Sequence, residues 1–145
     1  MKKPTEAYRH ADTMGKSPLE LVLMVYDGAI KAMRSAAAHY ARNENQAGYE
    51  EIQTAKRMVT HLYTTLDREQ GGQVTEHLGK MYTWVISQLY ILEATKNVDQ
   101  INKVIEVMTN LRSGWETLRT QTMAGIDKTK QTADESIAEH VLVTA

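Results

Sequence analysis

The 145-residue chain is predicted to be all-α, an antiparallel up-down-up-down four-helix bundle, and three observations carry that expectation. Apolar residues recur at steps of three and four along four separate stretches, the period of a helix with one buried face. No run alternates apolar and polar residues as a half-buried strand would. The joints between stretches are only a few residues long, so successive helices must turn back on one another. The bundle is expected over residues 17–123, with an N-terminal capping segment over 1–16 and a mobile tail over 124–145.

Ser17 opens the first helix as N-cap. Pro18 stands at the first helical position, where a missing N–H costs nothing, and Glu20 completes a capping box. Leu19, Val22, Leu23, Tyr26, Ile30, Met33 and Ala37 then share one face, and the pattern runs to about Arg42. Asn43, Glu44 and Asn45 form the joint. The second helix carries Ile52, Ala55, Val59, Leu62, Tyr63 and Leu66. It is expected to end before Gly71-Gly72, read as the left-handed stop and tight turn. The third runs from about Val74 to Thr95, with Leu78, Met81, Val85, Leu89 and Leu92 in register. Asn97, helped by Gln100, caps the fourth. Ile101, Val104, Ile105, Met108, Leu111, Trp115 and Leu118 form its stripe, ending near Met123. Beyond Gly125 a tail containing Thr, Lys and Asp is read as mobile, or as a short helix around Ile137 to Val143.

Composition removes several function classes. A net charge of −1 leaves no electrostatic footprint for nucleic acid or anionic lipid. The chain has no cysteine, which excludes disulfides, thiolate metal sites and a cysteine nucleophile. Two lysines follow Met1 without an apolar h-region, so no secretory signal is read. The longest apolar stretch, Leu21 to Tyr26, is far below the ~18 residues of a membrane span. The expected location is cytoplasmic. Met occurs 8 times and Phe not at all; an adaptable core for a flexible partner and simple compositional drift both fit.

Catalytic and metal chemistry find no footing either. A di-iron bundle needs Glu-x-x-His pairs, and none occurs. His10, His39, His61, His77 and His140 are scattered without ligand spacing. Gly71-Gly72 lacks the Lys-Ser/Thr and preceding strand of a phosphate loop. No Gly-x-Ser-x-Gly elbow exists. No catalytic residue, metal ligand or cofactor is assigned, and the chain is not expected to be an enzyme.

The first helix carries more apolar surface than one core face uses. Glu20, Asp27, Lys31 and Arg34 crowd one narrow sector, while Leu21, Val25, Gly28, Ala29, Ala32 and Ala36 fill a sector beside the core, where a surface helix usually shows charge. That flank has two readings. It packs against a neighbouring helix, or it is a groove for a partner helix, filled by residues 5–14 with Tyr8 as anchor when no partner is bound. The third helix shows a similar excess, with Tyr82, Ile86 and Tyr90 along one edge and Trp84 and Ile91 on another. Both sets cannot face one core. The candidate partner-binding residues are therefore Tyr8, Leu21, Val25, Gly28, Ala29, Ala32, Tyr82 and Ile86.

Three blocks, in order, resemble the flagellar secretion chaperone family FliS over residues 7–119. Ala7-Tyr8 followed by Ser17-Pro18 and Val25-Tyr26-Asp27-Gly28-Ala29-Ile30 is similar to its tyrosine, Ser-Pro and Leu-Tyr-Asp-Gly-Ala-Ile pattern. Glu69-Gln70-Gly71-Gly72, followed by Leu78 and Met81-Tyr82, resembles its Glu-x-Gly-Gly joint and the Leu-Tyr after it. Leu111-Arg112-Ser113-Gly114-Trp115 looks like its Leu-Arg-x-x-Trp ending. Val25 departs from the family's usual leucine, and Gly15-Lys16 from small residues such as Thr-Ala. The resemblance implies a helical bundle that binds the disordered C-terminal segment of flagellin in the cytoplasm. It implies protection from premature polymerisation and delivery to an export gate component of the flagellar type III apparatus. It also implies that the ligand displaces the chaperone's own N-terminal segment. Alternatives are a helical chaperone for another secreted substrate, or a structural bundle forming a weak homodimer through the flank around Gly28.

Overall fold

The start signals act where the residues put them. The Ser17 hydroxyl accepts the Glu20 backbone N–H at 3.1 Å, with Pro18 in the first turn, and Asn97 Oδ1 accepts the Gln100 N–H at 3.2 Å. The computed structural model describes residues 16–124. It forms α1 (Pro18–Ala41), α2 (Asn45–Thr64), α3 (Arg68–Thr95) and α4 (Val98–Ala124), with no strand among the described residues. Non-glycine residues with left-handed backbone sit in two of the joints, Asn43 at φ 60° and Lys96 at φ 53°. The expected capping segment up to Gly15 and the tail from Gly125 lie outside the described residues.

The glycine pair sits in a different place from the one expected. The turn after α2 is made by Thr65, Leu66 and Asp67, whereas Gly71 and Gly72 fall inside α3 and kink it. The two glycines are needed for two reasons. Gly72 takes φ 55°, ψ −130°, a combination open essentially to glycine alone. Gly71 is needed for space, because the Thr75 hydroxyl lies where its Cβ would be. That hydroxyl and the Gly71 N–H both donate to the Asp67 carbonyl, at 3.1 and 2.9 Å, which ties the first turn of α3 to the main body of the helix.

Pairwise contacts give the antiparallel order. Along α1, Gly28 meets Met58 and Tyr40 meets Gly48, so numbers rise on one helix as they fall on the other. Tyr63 lies over Gly79 while Lys56 and Gln53 reach Glu93. Asp27 on α1 pairs with Arg112 on α4 at 2.6 Å, and Gln100 donates to Gln88 across the α3–α4 seam at 2.9 Å. Each helix packs on its chain neighbours, and α1 also on α4, closing a ring of four. Inside it Tyr26, Met33, Ile52, Val59, Leu78, Val85, Leu89, Ile101, Met108 and Leu111 are fully buried. No helix among the described residues is long and apolar enough to cross a membrane.

Candidate functional site

At one end of the bundle α1 and α3 start and α2 and α4 finish. Several apolar side chains there are only half-buried. The result is a groove of 570 Å³, within the size range of protein binding pockets. Leu19 and Val22 of α1, Leu62 and Leu66 from α2 and its turn, Val74, Leu78 and Tyr82 of α3, and Trp115 and Leu118 of α4 make it apolar. Thr65, Asp67 and Thr75 add the polar atoms. Pro18 stands at the rim, so the chain preceding α1 joins the bundle beside this groove. A second cleft of 410 Å³, between α2 and α3, is lined by Tyr63, Glu76, Gly79, Lys80 and Thr83 and lacks an apolar wall of this kind.

A polar triad stands behind the groove. Trp115 Nε1–H donates to the Tyr26 hydroxyl at 3.0 Å, and that hydroxyl shares a hydrogen bond with Tyr82 at 2.5 Å. Burial, followed by the neighbouring Tyr82 hydroxyl, holds the Tyr26 phenol well above its ordinary pKa of 10.0, against the opposing pull of the indole hydrogen bond. Tyr26 is therefore a neutral hydrogen-bonding group at any physiological pH. Outside the groove, the hydrogen bond and charge of Asp27 raise the Arg112 pKa.

The structure separates the residues chosen from the sequence. Tyr82 lines the groove, but as a core side chain only 1% exposed rather than at an outer edge. Ile86 and Val25 are half-buried against the core, and Leu21 is half-exposed. Ala29 and Ala32 are buried, and Gly28 is covered by Met58 of α2. The small-residue flank of α1 is thus taken up by α2, the first of its two readings. Of the two α3 edges it is Trp84 and Ile91 that stay exposed, with Tyr90, whose ring carries the Lys56 ammonium 3.8 Å from its centroid. Tyr8 lies outside the described residues. Sequence reasoning counted Val22, Leu62, Leu66, Trp115 and Leu118 as core; Leu62 is buried in it and the other four pack half-buried against it, while all five also line the groove. Among the described residues no three His, Asp or Glu side chains come together as a metal site.

The sequence model of the family described as flagellar protein FliS matches residues 1–122. The chain belongs to the FliS family. Relatives bearing the name flagellar secretion chaperone FliS include proteins of three bacteria. That of Campylobacter jejuni is 29% identical, over 75% of this chain and 85% of its own. That of Salmonella typhimurium is 26% identical, over 71% and 77%. That of Bacillus subtilis is 24% identical, over 80% and 86%. The FliS match includes α1 to α3 and nearly all of α4, and therefore every residue that lines the groove.

Proposed function

We propose that the groove at the α1/α4 end receives an apolar stretch of the disordered C-terminal region of flagellin. The chain then acts as a cytoplasmic chaperone that keeps this region from polymerising and hands it to the flagellar type III export gate. The observation that carries this reading is an apolar groove of 570 Å³ left open at one end of a FliS-family bundle. Aliphatic walls with Tyr82 and Trp115 at the back suit a helical segment with apolar anchors at steps of three and four. Ordering such a segment typically costs about 2–5 kcal/mol of the gross interaction. Continuous apolar lining offsets this; no catalytic group takes part.

Residues 1–16, entering beside Pro18, are proposed to occupy the groove when flagellin is absent, with Tyr8 as their anchor. Residues 17–123 are the binding domain and 124–145 a separate tail. Leu21, Val25 and Ile86 are proposed as contacts for parts of the ligand that run beyond the groove. Gly28, Ala29 and Ala32 stay between α1 and α2.

Calorimetric titration with the C-terminal segment of the same organism's flagellin tests the reading. One-to-one binding with a negative heat-capacity change is expected, together with its loss in Leu19→Glu and Leu118→Glu variants that keep the wild-type circular dichroism. Binding that survives both changes moves the ligand off this groove. No binding by the wild-type protein points to another secreted substrate, and a dimer that excludes peptide to a self-associating bundle.

A further inference from the structure

We infer that Tyr26 is a positioning residue for the groove, holding Trp115 and Tyr82 as its rear wall without touching the ligand itself. The inference rests on the groove reading above. Tyr26 is fully buried and absent from the groove lining, whereas both of its hydrogen-bond partners belong to that lining. The indole N–H is a donor only, so at 3.0 Å the Tyr26 oxygen must accept it. The same oxygen is 2.5 Å from the Tyr82 hydroxyl. The two phenol rings lie 6.2 Å apart at 58°, a tilted contact that suits their opposed edges and faces. One oxygen on α1 thereby fixes a ring from α3 and a ring from α4. Asp27–Arg112 and Gln88–Gln100 also join these helices, but through residues outside the groove lining.

Volume alone does not call for this hydroxyl. Met33, Leu89 and Met108 fill the same core with no oxygen or nitrogen in their side chains. A phenol in their company loses its hydration, and that loss is made good only through partners. Both partners here look onto the groove. An oxygen placed this way sets where the indole plane stands, and the indole plane sets the shape a ligand meets.

The test uses the full-length protein and the flagellin C-terminal segment as probe. Tyr26→Phe keeps the ring and removes the oxygen, leaving the Trp115 N–H without its acceptor. Affinity is expected to fall about tenfold, the scale of one orphaned buried donor. The Trp115 indole N–H, one of two indole signals in the protein, is expected to shift and lose exchange protection while that of Trp84 does not. In a Trp115→Phe background the same Tyr26→Phe change is expected to cost less than about twofold, because coupled neighbours do not add. Wild-type affinity in a folded Tyr26→Phe protein, or losses that multiply in full, overturns the inference and leaves the groove reading standing. Should Tyr26→Phe not fold, Trp115→Phe breaks the same contact from the groove side, and undiminished affinity there overturns it equally. Failure of the wild-type protein to bind the segment overturns the groove reading and this inference together.

Discussion

Two glycines in the α1–α2 seam receive the same substitution with different expected outcomes. Replacing a mid-helix glycine by alanine gains about 1 kcal/mol from backbone entropy; Gly28→Ala starts from that gain, and Gly48→Ala, in the first turn of α2, from less of it. At Gly28 the new Cβ would stand 2.6 Å from Met58 Sδ and 3.0 Å from its Cε. That is the end of an unbranched side chain with three rotatable bonds, and moving it off its preferred rotamer costs about 0.5–1.5 kcal/mol. The net change at Gly28 is expected within about 0.5 kcal/mol of zero. At Gly48 the Cβ would meet three atoms of the Tyr40 ring at 2.5, 2.6 and 2.9 Å. The ring is rigid and buried, so α1 and α2 must separate there, an overpacking cost of about 1–3 kcal/mol. Net destabilisation above zero and up to about 3 kcal/mol is expected once that smaller helix gain is subtracted. Urea unfolding followed by far-UV circular dichroism reads both. The Gly28→Ala protein should also bind the flagellin segment as the wild type does, because its seam is closed by α2. A loss at Gly28 as large as at Gly48, or abolished binding in a folded Gly28→Ala protein, would refute the reasoning.

Two further outcomes concern the fold itself. Gly72→Ala meets nothing within 4 Å, so its cost is backbone strain alone, expected at about 1–3 kcal/mol from the positive φ; unchanged stability would mean that the kink does not form. Hydrogen bonds from Lys56 and then Gln53 hold the Glu93 pKa below its ordinary 4.5. Its stabilising share is therefore present above that pH and lost as pH falls through the lowered value. The pair is part-exposed, so a gap of at most about 1 kcal/mol between wild type and Glu93→Gln is expected at neutral pH, closing below about pH 4.5. A gap that widens with acid would reverse the assigned sign.

The four helices, the Ser17 and Asn97 caps and the core stripe were legible in the residues, because each follows from neighbours three or four positions apart. Ser17, Pro18 and Asn97 act on backbone groups within one turn, so no distant contact was needed to read them. The glycine pair was read as a stop, and the same left-handed preference of Gly72 instead serves a kink. Local dihedral preference gives the conformation of a residue but not the course of the chain on either side.

The candidate site divides along the same line. Amphipathic spacing shows that a side chain leaves water, yet it does not show what removes the water: a neighbouring helix, or a ligand. Gly28, Ala29 and Ala32 looked like a groove until Met58 and the rest of α2 were seen to occupy that flank. Val22, Leu66, Trp115 and Leu118 were read as core and do pack against it, but they are only half-buried and open to the groove. The chain by itself determined which residues are apolar, where the first and fourth helices start and how the helices must alternate. Only the tertiary structure decided which apolar face stays open, because that depends on where four helices of unequal length stop relative to one another, a distance no local pattern encodes.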